Sequence, residues 1–328
     1  DLVKSQSDAI GVVARGIGNP FFSDLLKTIS REIDRNGYKG TSGKFGSYAQ
    51  KDPSVHMLRL RMTAGRLTKE KMAYVADSLK KHNVNMLHFT TCQTIQLHNL
   101  PKEALYDIME GGLDHNIVTM GGGGDFPRNV MCSPLSGVQK DEFFHVMPYA
   151  EALAEYMMNY INTPKMPRKL KIGFSNSPEN IPHSTYRDLG FIARPDGRFD
   201  VWSAGGLGNG PSFGVKVADA VEPNKILYYA RAMWKTFCAY GNYENRGKAR
   251  SRFIVETLGG AENYVKAFNE KLEEVYAEGE NLDLDIAIEE ITKKGDGTTA
   301  KGPRVTAQKQ EGLYAVEWHP LGGTPTPE

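Results

Sequence analysis

Between residues 55 and 62 apolar and polar residues alternate, so Leu58, Leu60 and Met62 share one face while Arg59 and Arg61 share the other. A two-residue period predicts a half-buried strand. The period then changes: Met72, Val75, Ala76 and Leu79 recur at helical spacing behind Thr68, a residue suited to capping a helix. Residues 85–90 and 94–98 read as two strands with a short connection. Pro101 opens a second helix carrying Ala104, Leu105 and Ile108, with Gly111 and Gly112 as its stop. A last strand is expected at 116–120. The order strand, helix, strand, strand, helix (βαββα) predicts a ferredoxin-like half domain over residues 55–120.

A second unit, of mixed α+β type, is expected over 121–278. It opens on a loop of four glycines, Gly121 to Gly124. Pro148 begins a helix whose apolar stripe is Leu153, Ala154, Met157 and Ile161. Residues 170–174, 190–193 and 199–204 read as strands, and residues 205–210 form a second glycine loop. Helices are expected at 224–240 and 247–258, stopped by Gly241 and Gly259, and at 262–277 with Val265, Phe268 and Leu272 inward. Residues 1–54 form an extension with one helical stretch near 22–33. Residues 279–328 read as a charged, Gly-rich linker leading into a truncated second repeat. The fold class is α+β throughout.

Composition narrows the chemistry. Forty basic residues against thirty-nine acidic ones leave a net charge of +1, so no general nucleic-acid or membrane surface is expected, and any cationic site must be local. Cys92, Cys132 and Cys238 stand far apart without a C-x-x-C pair, which argues against a zinc site or a disulfide framework and suits a reducing cytoplasm. No apolar run approaches the roughly 18 residues of a membrane span. The ending Gly322-Gly323-Thr324-Pro325-Thr326-Pro327-Glu328 reads as a linker, and the chain as a fragment.

Four basic segments carry the candidate chemistry: Leu58-Arg59-Leu60-Arg61, Pro127-Arg128-Asn129-Val130, Pro167-Arg168-Lys169-Leu170-Lys171, and the helix-like run from Asn245 to Arg252. Cations converge only around an anion, because repulsion and desolvation oppose it otherwise. Each segment alone also fits a solvated sheet face, a turn with an incidental arginine, or the wet side of a helix. The glycine loops lack both the G-x-x-x-x-G-K-[ST] pattern and the dinucleotide fingerprint, so a nucleotide enzyme is a poor rival. The histidines show no ligand spacing, and no nucleophile motif is present.

Taken in order, these segments resemble the siroheme-dependent sulfite and nitrite reductase family. Met57 to Arg61 resembles its first arginine strand, and His88 to His98 its R-L-T-x-R-Q-x-x-Q-x-H segment. Gly124 to Val130 resembles the segment with a substrate-pocket arginine, and Pro167 to Lys171 the P-R-K-x-K strand. Ala204 to Gly208 resembles its glycine loop, Asn245 to Glu256 its basic helix, and Gln308 to Leu313 a further stretch. The resemblance implies a ferredoxin-like half domain followed by a siroheme-type domain.

It also implies roles. Arg61, Arg128, Lys169 and Lys171 would line the distal face of a siroheme, holding an oxyanion and relaying protons during its six-electron reduction. Arg59, His88, Thr90, Gln93, Asn129, Gly205, Gly206, Arg246, Arg250 and Arg252 would hold the macrocycle's carboxylates, by charge or through closely approaching backbone. Lys171, where nitrite reductases of the family often carry asparagine, favours sulfite over nitrite. The family's arginines are replaced by His88 and Cys92, and its C-x5-C and C-x3-C iron–sulfur ligands are absent from this chain. The complete enzyme is therefore expected to use siroheme, a [4Fe-4S] cluster and a ferredoxin-type donor. The chain alone is expected to bind no metal or cofactor and to be inactive without a C-terminal half. The rival is a non-catalytic module that keeps the anion pocket without redox chemistry.

Overall fold

The computed structural model describes residues 42–161, 163, 166–208 and 210–325; the helix expected near 22–33 lies outside them. The first sheet is antiparallel, with strands β1 (Ser47–Ala49), β2 (His56–Arg61), β3 (Met86–Phe89) and β4 (Thr94–Leu100) in the order β1-β2-β4-β3. Alternation places Leu58, Leu60, Ile95 and Leu97 on one face, in a buried cluster with Val75, Ala104, Leu105 and Ile108. The last four come from α1 (Lys69–Lys81) and α2 (Lys102–Asp114). Burying four such aliphatic side chains from the strands alone contributes about 1.5–3 kcal/mol each.

Thr68 caps α1 by accepting from the Lys71 N–H. The inward stripe of this helix differs from the expected one: Met72 is 55 % exposed, while Val75 and Ser78 are buried. Gly111 and Gly112 do not stop α2. A Cβ on Gly111 would fall 2.8 Å from the Tyr74 hydroxyl, and one on Gly112 3.2 Å from the Ile117 carbonyl. These glycines admit neighbours, and the chain turns at Asn116 (φ 54°). The strand expected at 116–120 reduces to one antiparallel bridge, Arg61–Val118. β1, within the stretch set apart as an extension, pairs with β2.

The second sheet runs β5 (Met131–Cys132), β6 (Ile172–Ser175), β7 (Leu189–Ala193), β8 (Phe199–Ser203) and β9 (Val215–Val221) in chain order. Pairing is parallel from β5 to β7 and antiparallel from β7 to β9. Phe174, Phe191 and Phe199 fill its core with Leu153 and Met157 of α3 (Met147–Met158), Met233 and Phe237 of α4 (Ile226–Tyr240), and Tyr264 and Phe268 of a helix at Ala261–Ala277. The sequence period identifies neither β5, which is too short for one, nor β9.

The basic run is not one helix. A 3-10 turn at Arg246–Lys248 precedes a short helix, Arg252–Thr257, because the Asn245 side chain caps the Gly247 N–H and the next side chains are drawn to a buried aspartate. Residues 279–303 contain no helix or strand, although Leu282 is buried and its N–H reaches the Tyr228 hydroxyl at 3.1 Å. A hairpin of Val305–Ala307 and Tyr314–Val316 follows, with the Lys309 N–H on the Val138 carbonyl. Among the described residues no helix is long and apolar enough to cross a membrane.

Candidate functional site: a cationic cleft between the two sheets

The polar face of the first sheet looks toward the second unit. Register aligns His88 with Gln96 and Gln96 with Arg59, so the three share that face. The glycine loop lies against it. Gly121 adopts φ +72°, and a Cβ there would meet Arg61 Nη1 at 2.6 Å; a Cβ on Gly123 would collide with the Tyr48 ring. Stripped of side chains, this loop turns its carbonyls toward arginines. Gly122 accepts from Arg59 Nη1 (2.5 Å) and Arg128 Nη1 (2.9 Å), and Gly124 accepts from Arg128 Nη2 (2.8 Å).

Two side-chain amides fasten the units together. Gln93, at φ 54°, donates Nε2 to the Cys132 carbonyl (2.7 Å) and accepts the Cys132 N–H (2.9 Å). Asn129 donates Nδ2 to the Met62, Cys92 and Gln93 carbonyls. Arg61 adds a third tie. It is 4 % exposed and donates to the Met120, Pro127 and Arg128 carbonyls at 3.0–3.2 Å. Burial, then the Arg128 charge, lowers its guanidinium to about 10.

Between these ties lies a cavity of about 170 Å³, lined in part by Arg59, Cys92, Arg128, Asn129, Lys169 and Lys171. It shares Thr90, Thr91 and Lys171 with a larger cleft of about 610 Å³, whose walls include Met131, Ile181, Pro182, Arg187 and Leu207. Neither lining contains an aspartate or a glutamate. Desolvation lowers Lys169 to about 8, with Lys171, Arg128, Arg250 and Arg168 adding repulsion. Desolvation likewise lowers Arg128 to about 10, with Arg59 and Arg168 opposing its charge as well. An anion in this space would relieve both penalties.

The structure thus brings Arg59, Thr90, Arg128, Asn129, Lys169 and Lys171 to the small cavity and Gln93 to the larger cleft. Other expected site residues are placed elsewhere. Arg61 stands behind the Arg128 loop, engaged by carbonyls and outside both linings. Thr90 reaches the cavity but spends its hydroxyl on the turn, bonding Thr94 Oγ1 (2.6 Å) and the Thr94 N–H. His88 approaches Thr324 Oγ1 at 3.3 Å.

In the second glycine loop and the basic run, several of the expected groups have protein partners. Gly205 and Gly206 give their N–H groups to the Arg187 and Ser212 carbonyls. Their missing side chains instead permit packing, since a Cβ on Gly206 would lie 2.9 Å from Arg252 Nη1. Arg252 stacks over Phe253 at 4.7 Å. Arg246 and Arg168 both pair with Asp125. Arg250 pairs with Asp188, a fully buried carboxylate that also accepts from the Lys171 N–H (2.8 Å) and from Ser251 Oγ.

Arg187 and Asp188 are the residues that sequence reasoning missed. Arg187 is 8 % exposed, donates to the Pro182 carbonyl and lines the larger cleft. The one available signal is an Arg-Asp pair placed directly before the apolar strand that begins at Leu189.

A ferredoxin-like half domain joined by a cationic cleft to a mixed five-stranded domain defines an α+β class of protein. Comparison with known proteins gives the family. The Nitrite/Sulfite reductase ferredoxin-like half domain matches residues 48–113, and the Nitrite and sulphite reductase 4Fe-4S domain matches residues 123–276. The chain belongs to the siroheme sulfite/nitrite reductase family. It is 29 % identical over 300 residues to the sulfite reductase (NADPH) hemoprotein beta-component of Acidithiobacillus ferrooxidans, covering 79 % of this chain and 53 % of that one. It is 27 % identical over 247 residues to the sulfite reductase (ferredoxin) of Mycobacterium tuberculosis, covering 73 % and 43 %. The chain spans about half the length of the curated relatives it matches. The solved structure of the Mycobacterium tuberculosis NirA protein shares the fold, with TM-score 0.72 and 22 % identity over 93 % of this chain and 58 % of that chain.

Proposed function

We propose that this chain forms the cationic half of a reductase that converts sulfite to sulfide, with nitrite the weaker substrate. The observation that carries the reading is the acid-free cavity in which Arg59, Arg128, Lys169 and Lys171 meet. A small oxyanion satisfies these groups, whereas an empty cluster of cations is costly. Lys171, in the P-R-K-x-K segment, supplies the second lysine that favours sulfite.

The residues present fit a polycarboxylate macrocycle. Apolar Met131, Ile181 and Leu207 offer flat contact, and Arg187, Lys171 and Arg59 offer charge to carboxylates at the rim. Siroheme, when bound, supplies the redox-active iron for oxyanion reduction. Arg128, fixed by the Gly122 and Gly124 carbonyls, orients the anion, and Lys169, lowered to about 8, donates protons as oxygen leaves as water. Among the described residues no group of three or more His, Cys, Asp or Glu is placed to hold a metal ion. In this reading a further C-terminal half supplies the cluster thiolates, and a ferredoxin-type protein supplies electrons.

The absorption spectrum of the full-length gene product tests this. Siroheme and iron–sulfur bands with dithionite-driven sulfite reduction are expected. A colourless product that still binds sulfite would replace the reductase reading with that of a non-catalytic anion-binding module.

A further inference from the structure

Four cations converge on the small cavity, and something must hold them there before an anion does. Arg59, Arg128, Lys169 and Lys171 line a space without acids, where repulsion and desolvation oppose their charges. One carboxylate lies behind them, outside both linings. Among the described residues Asp188 is the only Asp or Glu that is fully buried, at 0 % exposure.

Sheet register fixes its place. β6 and β7 run parallel with Ile172 opposite Leu189, so Lys171 and Asp188 stand side by side just before the two strands begin. The Leu189 N–H reaches the Lys171 carbonyl (3.2 Å), and Asp188 Oδ2 accepts the Lys171 N–H (2.8 Å). From the other side the basic run supplies Arg250 Nη2, at 2.8 and 3.0 Å, and the Ser251 hydroxyl. One buried carboxylate thus joins the lysine segment to the basic run. Arg187, one residue earlier, lines the larger cleft.

We propose that Asp188 is a positioning residue of the cavity: it pins the Lys171 backbone and neutralises Arg250, so that Lys169 and Lys171 hold their place and their charge before an anion arrives. The inference rests on the reading of the cavity as an oxyanion site. Lys169 is faced by Lys171 and Arg168 of its own segment, by Arg128 of the glycine-loop segment and by Arg250 of the basic run, with Arg59 and Cys92 also lining the cavity. Asp188 is faced by Arg250, Ser251 and Lys171, and its charge also acts on Arg187, Arg252 and Tyr264. Every lysine and arginine in this ring repels Lys169, so the titration of Lys169 reports whether Arg250 is neutralised. Without Asp188 the whole Arg250 charge acts on Lys169 and lowers its midpoint below about 8; without Arg250 the midpoint rises.

The test follows the Lys169 amine by NMR in the full chain with isotope-labelled lysine, its signal assigned by loss in Lys169→Met, and measures sulfate binding by calorimetry. In Asp188→Asn the Lys169 midpoint should fall by about one pH unit, the effect of one uncompensated charge nearby. Sulfate affinity at about pH 8 should fall with it, by about tenfold. Arg250→Met should raise the midpoint, and the double variant should return it toward the native value. Ser251→Ala, which removes a hydrogen bond and no charge, should lower stability and leave the midpoint in place. A merely structural role would not give opposite shifts from the two partners of one ion pair. A midpoint unmoved in Asp188→Asn, or moved the same way in both single variants, overturns the proposal. Should Asp188→Asn fail to fold, an unmoved or lowered midpoint in Arg250→Met overturns it alone. If the shifts appear but the native chain binds no sulfate, the role of Asp188 stands and the oxyanion reading falls.

Discussion

Two sets of cations occupy one wall of the cleft, and the protein treats them in opposite ways. Lys169 and Lys171 face a cavity without acids, beside an Arg128 whose Nε is buried without a partner. Behind them, Arg168 and Arg246 share Asp125, Arg250 is held by Asp188, and Arg61 by three carbonyls. All seven come from the same four basic segments. What separates the two lysines from the wall cations is whether an acceptor stands within reach, while Arg128 belongs to both sets, lining the cavity and held by the Gly122 and Gly124 carbonyls.

Substitutions can break or sharpen this division. Asp188→Ala should have the largest effect, because it strands Arg250, the Lys171 N–H and Ser251 together. Breaking a buried pair costs about 3–5 kcal/mol, read as a lower urea midpoint. An unchanged midpoint would remove Asp188 from the wall. Next in size, Lys169→Ala and Arg128→Ala should weaken sulfite binding by about tenfold to a hundredfold, as expected for lost charge-assisted hydrogen bonds. Calorimetry checks this, and the division collapses if these variants lose stability as Asp188→Ala does while keeping their affinity.

Gln93→Ala should cost about 1–3 kcal/mol by leaving the Cys132 amide and carbonyl unpaired, measured by thermal unfolding. The pH response follows from Lys169. Its pKa is lowered to about 8, so it is charged below that pH and neutral above it. Sulfate affinity should fall as pH rises through about 8, and Lys169→Met should lose that step; an unaltered step would place the titration on another group. Arg246→Ala should do least, under about 1 kcal/mol, because its side chain is 63 % exposed.

The strand period at 56–61 makes the shared face of Arg59 and Arg61 legible, and the order of segments makes the pocket legible. The different fates of those two arginines are not. Arg61 turns to the Met120, Pro127 and Arg128 carbonyls, about sixty residues away, and no local pattern encodes that encounter. Gly111 and Gly112 mislead because a glycine that admits Tyr74 or Ile117 looks the same in sequence as one that ends a helix. The basic run misleads in a related way. Its spacing suits a helix, but Asp188, distant in sequence, draws Arg250 and Ser251 out of that pattern.

The pairing of Gln93 with Cys132 has a consequence for how the cleft can move. A side-chain amide that both donates to and accepts from one residue of β5 acts like an added rung of the second sheet, contributed by the turn of the first. Asparagine lacks the reach and glutamate lacks the donor, so the seam depends on this one residue type. The turn that carries Thr90 and Cys92 is thereby carried by the second sheet as much as by its own. A molecule entering the cleft meets two walls sewn to each other at their base, and adapts them by side-chain motion instead of by parting the sheets.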